Sequence, residues 1–149
     1  MATNYTTQAS KATANPKFVE VGQIQVCSVF ALSAALAIGD IINMLVLPIG
    51  AVVCDVCISS DTALDTNAAS TLSFQVGDQT TPGRYIGGAA GHVQGNNIPM
   101  APYHMDQASG HQWKADATSN IIQMKVFAAP ATAAVTGNLR LTIEYSMDP

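Results

Sequence analysis

The chain has 149 residues, enough for one domain with its own core, and that length requires neither metal nor disulfide for folding. Only 11% of its residues are charged, against about 25% in ordinary soluble domains, while 48% are hydrophobic, so Ala, Thr, Ser, Asn, Gln and Gly stand where charges normally would. A net charge of −4 and the lack of any Lys/Arg run argue against nucleic acid as a partner, since phosphate binding needs a basic footprint.

The first 17 residues are small and polar, with Tyr5 as the one aromatic and Lys11 and Lys17 as the only charges before Glu20. Such a segment cannot bury enough apolar surface to fold alone. An extended arm over 1–19 is expected, and Asn15-Pro16 biases the backbone the same way. The opening MATNYTTQASK has no apolar stretch of the kind a secretory signal carries. From Phe18 the pattern becomes that of a strand. Gly22, Ile24, Val26, Ser28, Phe30 and Leu32 share one face, with Gln23 and Gln25 opposite. Ala31–Leu36 is rich in Ala and Leu and reads as a short helical turn.

Ile41–Leu47 is a continuous apolar run ended by a Pro48-Ile49-Gly50 turn, and Val52–Ile58 follows as a central strand, apolar on both faces. Residues 29–58 together are long enough to cross a bilayer. Asp40 and Asn43 near their middle, with Gly39, Pro48 and Gly50 as breakers, favour two buried strands instead, and no membrane association is expected. Ser59–Ser70 is a polar loop, in which Asp61 and Asp65 read as turn formers. Leu72, Phe74 and Val76 alternate with Ser73 and Gln75, and Gly77-Asp78 closes that strand.

Residues 79–118 are the least regular part, broken by Gly83, Gly87, Gly88, Gly91, Gly95, Gly110, Pro82, Pro99 and Pro102. Long loops are expected there, with short strands near Arg84–Ile86 and His111–Lys114. Asn120–Ala128 is a strand, Ala129–Gly137 a turn, and Leu139, Leu141, Ile143 and Tyr145 alternate with Arg140, Thr142 and Glu144 in a clear last strand. About eight strands and no long helix predict an all-β fold: a single jelly-roll-like β-sandwich over 20–149, preceded by the arm.

Little in the sequence suggests chemistry. Three cysteines, Cys27, Cys54 and Cys57, are an odd count that suits free thiols in a reducing compartment. In Cys54-x-x-Cys57, strand alternation sends positions three apart to opposite sides, so buried core thiols are expected rather than a metal pair. His92, His104 and His111 lie close in sequence, with Asp106 and Asp116 nearby, but at no known ligand spacing, and no metal or cofactor is expected. There is no nucleophile elbow. Trp113, with Tyr85 and Tyr103 in the same irregular stretch, points to outer-loop contacts or a subunit seam, and a lone Trp such as Trp113 is expected to fill a core or a seam before it binds a ligand.

Taken in order, FALSAALAIGDIINMLVLPIGAVVCDVCISSD (30–61), LSFQVGD (72–78), GRYIGGAA (83–90) and the last strand, Gly137–Tyr145, resemble the jelly-roll head decoration (cement) proteins of tailed bacteriophages. The resemblance covers roughly 20–147, apart from the His- and Pro-bearing stretch 92–113. It implies a non-enzymatic virion protein made in the host cytoplasm. Such a protein would bind the major capsid protein on the outside of the icosahedral head, as a homotrimer, and stabilise the shell. On that reading the arm would contact the capsid through Tyr5, Lys11, Pro16, Lys17 and Phe18, lysines facing acidic patches and aromatics serving as anchors. The alternative is a receptor- or carbohydrate-binding module of a head fibre, working through the 79–118 loops, and a third reading is a cupin-like metalloenzyme using the histidines. Poverty of surface charge suits a chain covered by copies of itself.

Overall fold

Alternation of side chains decides the first long strand. Ile24, Val26, Ser28 and Phe30 turn inward while Gln23, Gln25, Cys27 and Val29 face out, as the residue pattern requires. The chain is seen in a computed structural model that describes residues 3–5, 22–87 and 97–147. Its strands are β1 (Thr3–Tyr5), β2 (Gln23–Ala31), β3 (Ile41–Val46), β4 (Ala51–Ser60), β5 (Ser73–Asp78), β6 (Tyr103–His104), β7 (Ile121–Ala128) and β8 (Asn138–Met147), with one 3-10 turn at Ala108–Gly110.

Two four-stranded sheets form, in the orders β1-β3-β7-β5 and β2-β8-β4-β6. From β2 to β5 successive strands alternate between sheets, and so do β6, β7 and β8, while Ile86 stays beside β5 through a bridge to Val76. That course, folded over itself as a four-stranded pair of layers, is the jelly roll the sequence predicts. The inward rows of the second sheet match across three strands. Ile24, Tyr145 and Val53 form one, Val26, Ile143 and Val56 the next, and Ser28, Leu141 and Ile58 the third. They meet Ile42, Phe74, Val76, Ile122 and Met124 of the other sheet in one core.

Several expectations are corrected. Residues 32–36 are not helical; Leu32 and Leu36 dip into the core and close one end of the sandwich. Neither 84–86 nor 111–114 forms a strand, and each makes only a single bridge, Val76 to Ile86 and Val52 to Lys114. The thiols are not in the core: Cys27 is exposed and Cys54 and Cys57 are half-buried. The ladder between β4 and β8 skips Cys54 between Val53 and Asp55, a bulge that resets the alternation. Val56 and Ile58 therefore return inward, and Cys57 stands outside in a row with Cys27, Thr142 and His104. Of the expected arm, the structure describes only Thr3–Tyr5, whose backbone pairs parallel to the edge of β3.

Tyr85 is fully buried, and its hydroxyl has no hydrogen-bond partner among the described residues. Burial, and then the negative charge of nearby Asp78, push this phenol well above its ordinary range. Tyr85→Phe is accordingly expected to leave the fold intact and raise stability by about 1 kcal/mol, because it removes an unsatisfied buried group. Urea unfolding checks this, and a clear loss of stability would mean that the hydroxyl is satisfied after all.

Candidate interaction surfaces

The residues singled out from sequence are dispersed. Tyr5 lies in β1, where its backbone pairs with Asn43; Lys11, Pro16, Lys17, Phe18 and His92 lie outside the described residues. Tyr85 is corrected from a surface contact to a core residue, because the segment after β5 folds back and hydrogen-bonds to Val76 through both Tyr85 and Ile86. Tyr103 is half-buried, and its hydroxyl donates to the Asp106 carboxylate at 3.1 Å. That carboxylate also accepts from the Gly87 amide at 2.9 Å, so the contact ties two loops together.

Trp113 is half-buried, with the Arg84 guanidinium stacked on its ring at 3.5 Å from the centroid. Arg84 is itself buried and donates through Nε to the Asp78 carboxylate. It reaches the Thr80 and Thr81 hydroxyls at 3.1 and 3.0 Å. Burial raises the Asp78 pKa, but the bonds from Arg84, Thr80 and Thr81 outweigh it and hold the carboxyl below its ordinary value. Two of the three loop aromatics are thus committed inside the domain. His104 Nδ1 lies 2.5 Å from the Asp55 carboxylate on the outer sheet face, and His111 is exposed. Among the described residues, no three His, Cys, Asp or Glu side chains converge as metal ligands.

The strongest local construction lies at one end of the sandwich. Strands β2, β4 and β7 all run toward that end, and the loops that follow them, 32–40, 61–72 and 129–137, gather there. Asp65, fully buried, accepts from the amides of Asn67, Thr71, Leu72, Ala131 and Thr132 at 2.8 to 3.3 Å. Burial pushes this carboxyl up, but the Thr132, Thr71, Ala131 and Asn67 amides together bring it down to about 2. The first of these loops joins the other sheet through reciprocal bonds, Gly39 N–H to Val126 C=O and Val126 N–H to Asp40 C=O, both 2.9 Å. It meets the third where the Leu32 amide donates to the Gly137 carbonyl at 2.8 Å.

On this clasped end stand Ile38, Phe127 and Val135, exposed by 68%, 40% and 58%. Val29 and Ile98 flank it, and Ile49 is the large exposed aliphatic at the opposite turn. The three loops hold no Lys or Arg. Sequence inspection missed this surface; the lack of cations in three separate loops was the available signal, but nothing local showed that they converge.

No protein-family model matches the sequence, and neither does any curated protein. The fold does match solved structures. A chain in the capsid of Ralstonia phage GP4 superposes with a TM-score of 0.78 at 23% identity, covering 99% of both chains. A chain in the capsid asymmetric unit of cyanophage Pam1 superposes with a TM-score of 0.66, also at 23% identity, covering 91% of this chain and 92% of that one.

Proposed function

We propose that the chain is a structural virion protein that decorates a phage head, binding the major capsid protein on the outside of the shell as a homotrimer and stabilising it. The observation that carries the reading is the end-to-end match to a chain in a phage capsid, which covers 99% of both chains. The poverty of charge, at 11% of residues, and the commitment of Trp113 and Tyr85 to internal packing support assembly over ligand capture by loops.

Mechanistically, such a protein acts through contact area. A ligand that binds only the assembled shell shifts the equilibrium toward it by mass action, without chemistry. In this reading the domain 20–149 sits on the lattice and the arm 1–19 contacts the capsid through Tyr5, Lys11, Pro16, Lys17 and Phe18. The protein acts on the exterior of the virion and is made in the host cytoplasm.

Deletion of residues 1–17 is expected to weaken binding to undecorated shells at least tenfold while leaving the thermal unfolding of the domain within a few degrees. Sedimentation of shells with the truncated chain measures this, and full-strength binding would remove the arm from the mechanism. Light scattering on the whole chain is expected to give three times the 15.5 kDa subunit mass.

A further inference from the structure

We infer that the free side of β2 is a strand-pairing edge, where Gln23–Ala31 lies antiparallel against β2 of a second copy of this chain, with Cys27 opposite the partner's Cys27. This contact deepens the assembly reading and rests on it for the premise that copies are held side by side. A two-fold contact cannot lie inside a three-fold ring, so it joins one ring of copies to the next.

The chain itself closes or shortens its other three sheet edges. β1 pairs along Ile41–Asn43 of β3. Tyr85 and Ile86 fold back on β5, their amides donating to the Val76 carbonyl at 2.9 and 3.0 Å. β6 is two residues long. β2 differs on every count. It runs for nine residues, its ladder with β8 has no bulge, and it holds no charge and no proline. It ends its sheet, and among the described residues no backbone group pairs with its other side. Proteins avoid a long, straight, uncharged edge unless a strand adds to it.

The core is open on the same side. One inward row reads Val26, Ile143 and Val56, of which the last two are fully buried and Val26 is half-buried. Phe30 is likewise half-buried beside fully buried Leu139. With two β2 strands fully overlapped, Val26 stands opposite the partner's Ser28 and Phe30 opposite the partner's Ile24. Both apolar rows then run on into the next copy.

Charge selects the occupant and the register. The nearest ionised side chains among the described residues are on β8, with Arg140 beside Val29 and Glu144 beside Gln25. Gln25 Nε2 donates to Glu144 at 3.0 Å, and Arg140 lies 4.0 Å from Asp61 with both side chains partly exposed. Full antiparallel overlap sets Val29 opposite the partner's Gln25. Arg140 of each copy then lines up in one row with the partner's Glu144, whereas a parallel copy would line up like with like. A second copy thus supplies an uncharged edge of equal length with opposite charges in the matching rows. A strand edge buries little surface, so the contact is weak in dilute solution and fills where rings are crowded. Neighbouring three-fold positions of an icosahedral shell are related by two-fold axes, the symmetry this pairing requires.

The test uses the full chain with Cys54→Ser and Cys57→Ser, which leaves Cys27 as its one thiol. Diamide oxidation is followed by the yield of disulfide-linked dimer, in solution at rising concentration and on undecorated shells. The yield is expected to be at least tenfold higher on shells than in dilute solution. Gln25→Lys with Val29→Lys sets like charges opposite each other in this register and is expected to cut the yield at least tenfold. Gln25→Lys with Val29→Glu sets opposite charges there and is expected to restore it. Both positions are exposed, and urea unfolding verifies that each variant is folded. Equal yields from the two folded variants overturn the register and the contact with it. Shells saturated with the chain but free of linked dimer also overturn it, and leave the capsid reading standing. A linked dimer with the expected charge pattern, from a chain that binds no shell, supports the edge contact and sinks the capsid reading. If the Lys/Lys variant loses shell binding and no linked dimer ever forms, the edge belongs to a capsid strand and the second-copy assignment falls.

Discussion

Replacing Asp65 with alanine is expected to destabilise the domain by about 4 kcal/mol, a large part of the total stability of a domain this size. The substitution leaves the amides of Asn67, Thr71, Leu72, Ala131 and Thr132 without their acceptor, the Leu72 amide buried and the other four part-buried, and frees the 61–72 loop from the 129–137 loop. Each abandoned buried donor costs about 1–3 kcal/mol, less whatever water recovers by entering the opened loop. Asp65→Asn should fall between wild type and alanine, since one of its two acceptors becomes a donor facing N–H groups. Urea unfolding at neutral pH is the measurement, and a loss below about 1 kcal/mol for the alanine variant would show that the clasp contributes little.

The same carboxylate sets an acid limit. Its folded pKa, about 2, lies below its ordinary 3.8, so the unfolded chain binds the proton more readily. The stabilisation is therefore fully present above about pH 4 and is lost as pH falls through about 2. Asp78 is lowered in the same direction and adds to the effect. Between pH 4 and 2 the unfolding midpoint of wild type should drop more steeply than that of Asp65→Asn, and parallel curves would assign the acid sensitivity to other groups.

Arg84→Ala is the second large effect, expected at about 3–5 kcal/mol, because it strands the buried Asp78 carboxylate without its cation. It also uncovers the face of Trp113, so the tryptophan fluorescence of the folded variant should shift. Asp78→Asn combined with Arg84→Met should recover a good part of the loss, since a neutral pair of similar bulk carries no uncompensated buried charge. If the single variant loses less than about 1 kcal/mol, the carboxylate is reached by water and the pair is not a structural lock.

Period-two alternation made β2, β7, β8 and the β5 strand legible, because one face of each must be apolar. The errors arose where distant chain supplies half of the interaction. Leu32 and Leu36, four residues apart, mimic a helical face, yet their partners lie in the core between two sheets. Asp65-Thr66-Asn67 looks like a local turn, and the Asn67 amide does close one, but Ala131 and Thr132 come from the far side of the sequence. Tyr85 looks like a contact residue in the sequence because Gly and Pro surround it. Gly110 has no room even for a Cβ, which would lie 2.6 Å from the Tyr85 ring, and that marks a packed crossing of loops. The Cys54 bulge leaves no trace in composition, so the outward turn of Cys57 was invisible. The clasped loop end was unreadable for the same reason: its three loops are neighbours only after both sheets have formed.

The position of β8 has a consequence for synthesis. It is the last strand described, and it lies between β2 and β4, pairing with each along nearly its whole length. A nascent chain that has not yet exposed Asn138–Met147 holds two long strands with nothing between them, and its core rows lack Leu139, Leu141, Ile143 and Tyr145. Such open edges favour aggregation or capture by chaperones over native pairing. Ribosomal products stopped short of residue 138 therefore cannot close this sheet, and translation to that point acts as a checkpoint that keeps incomplete chains out of any assembly.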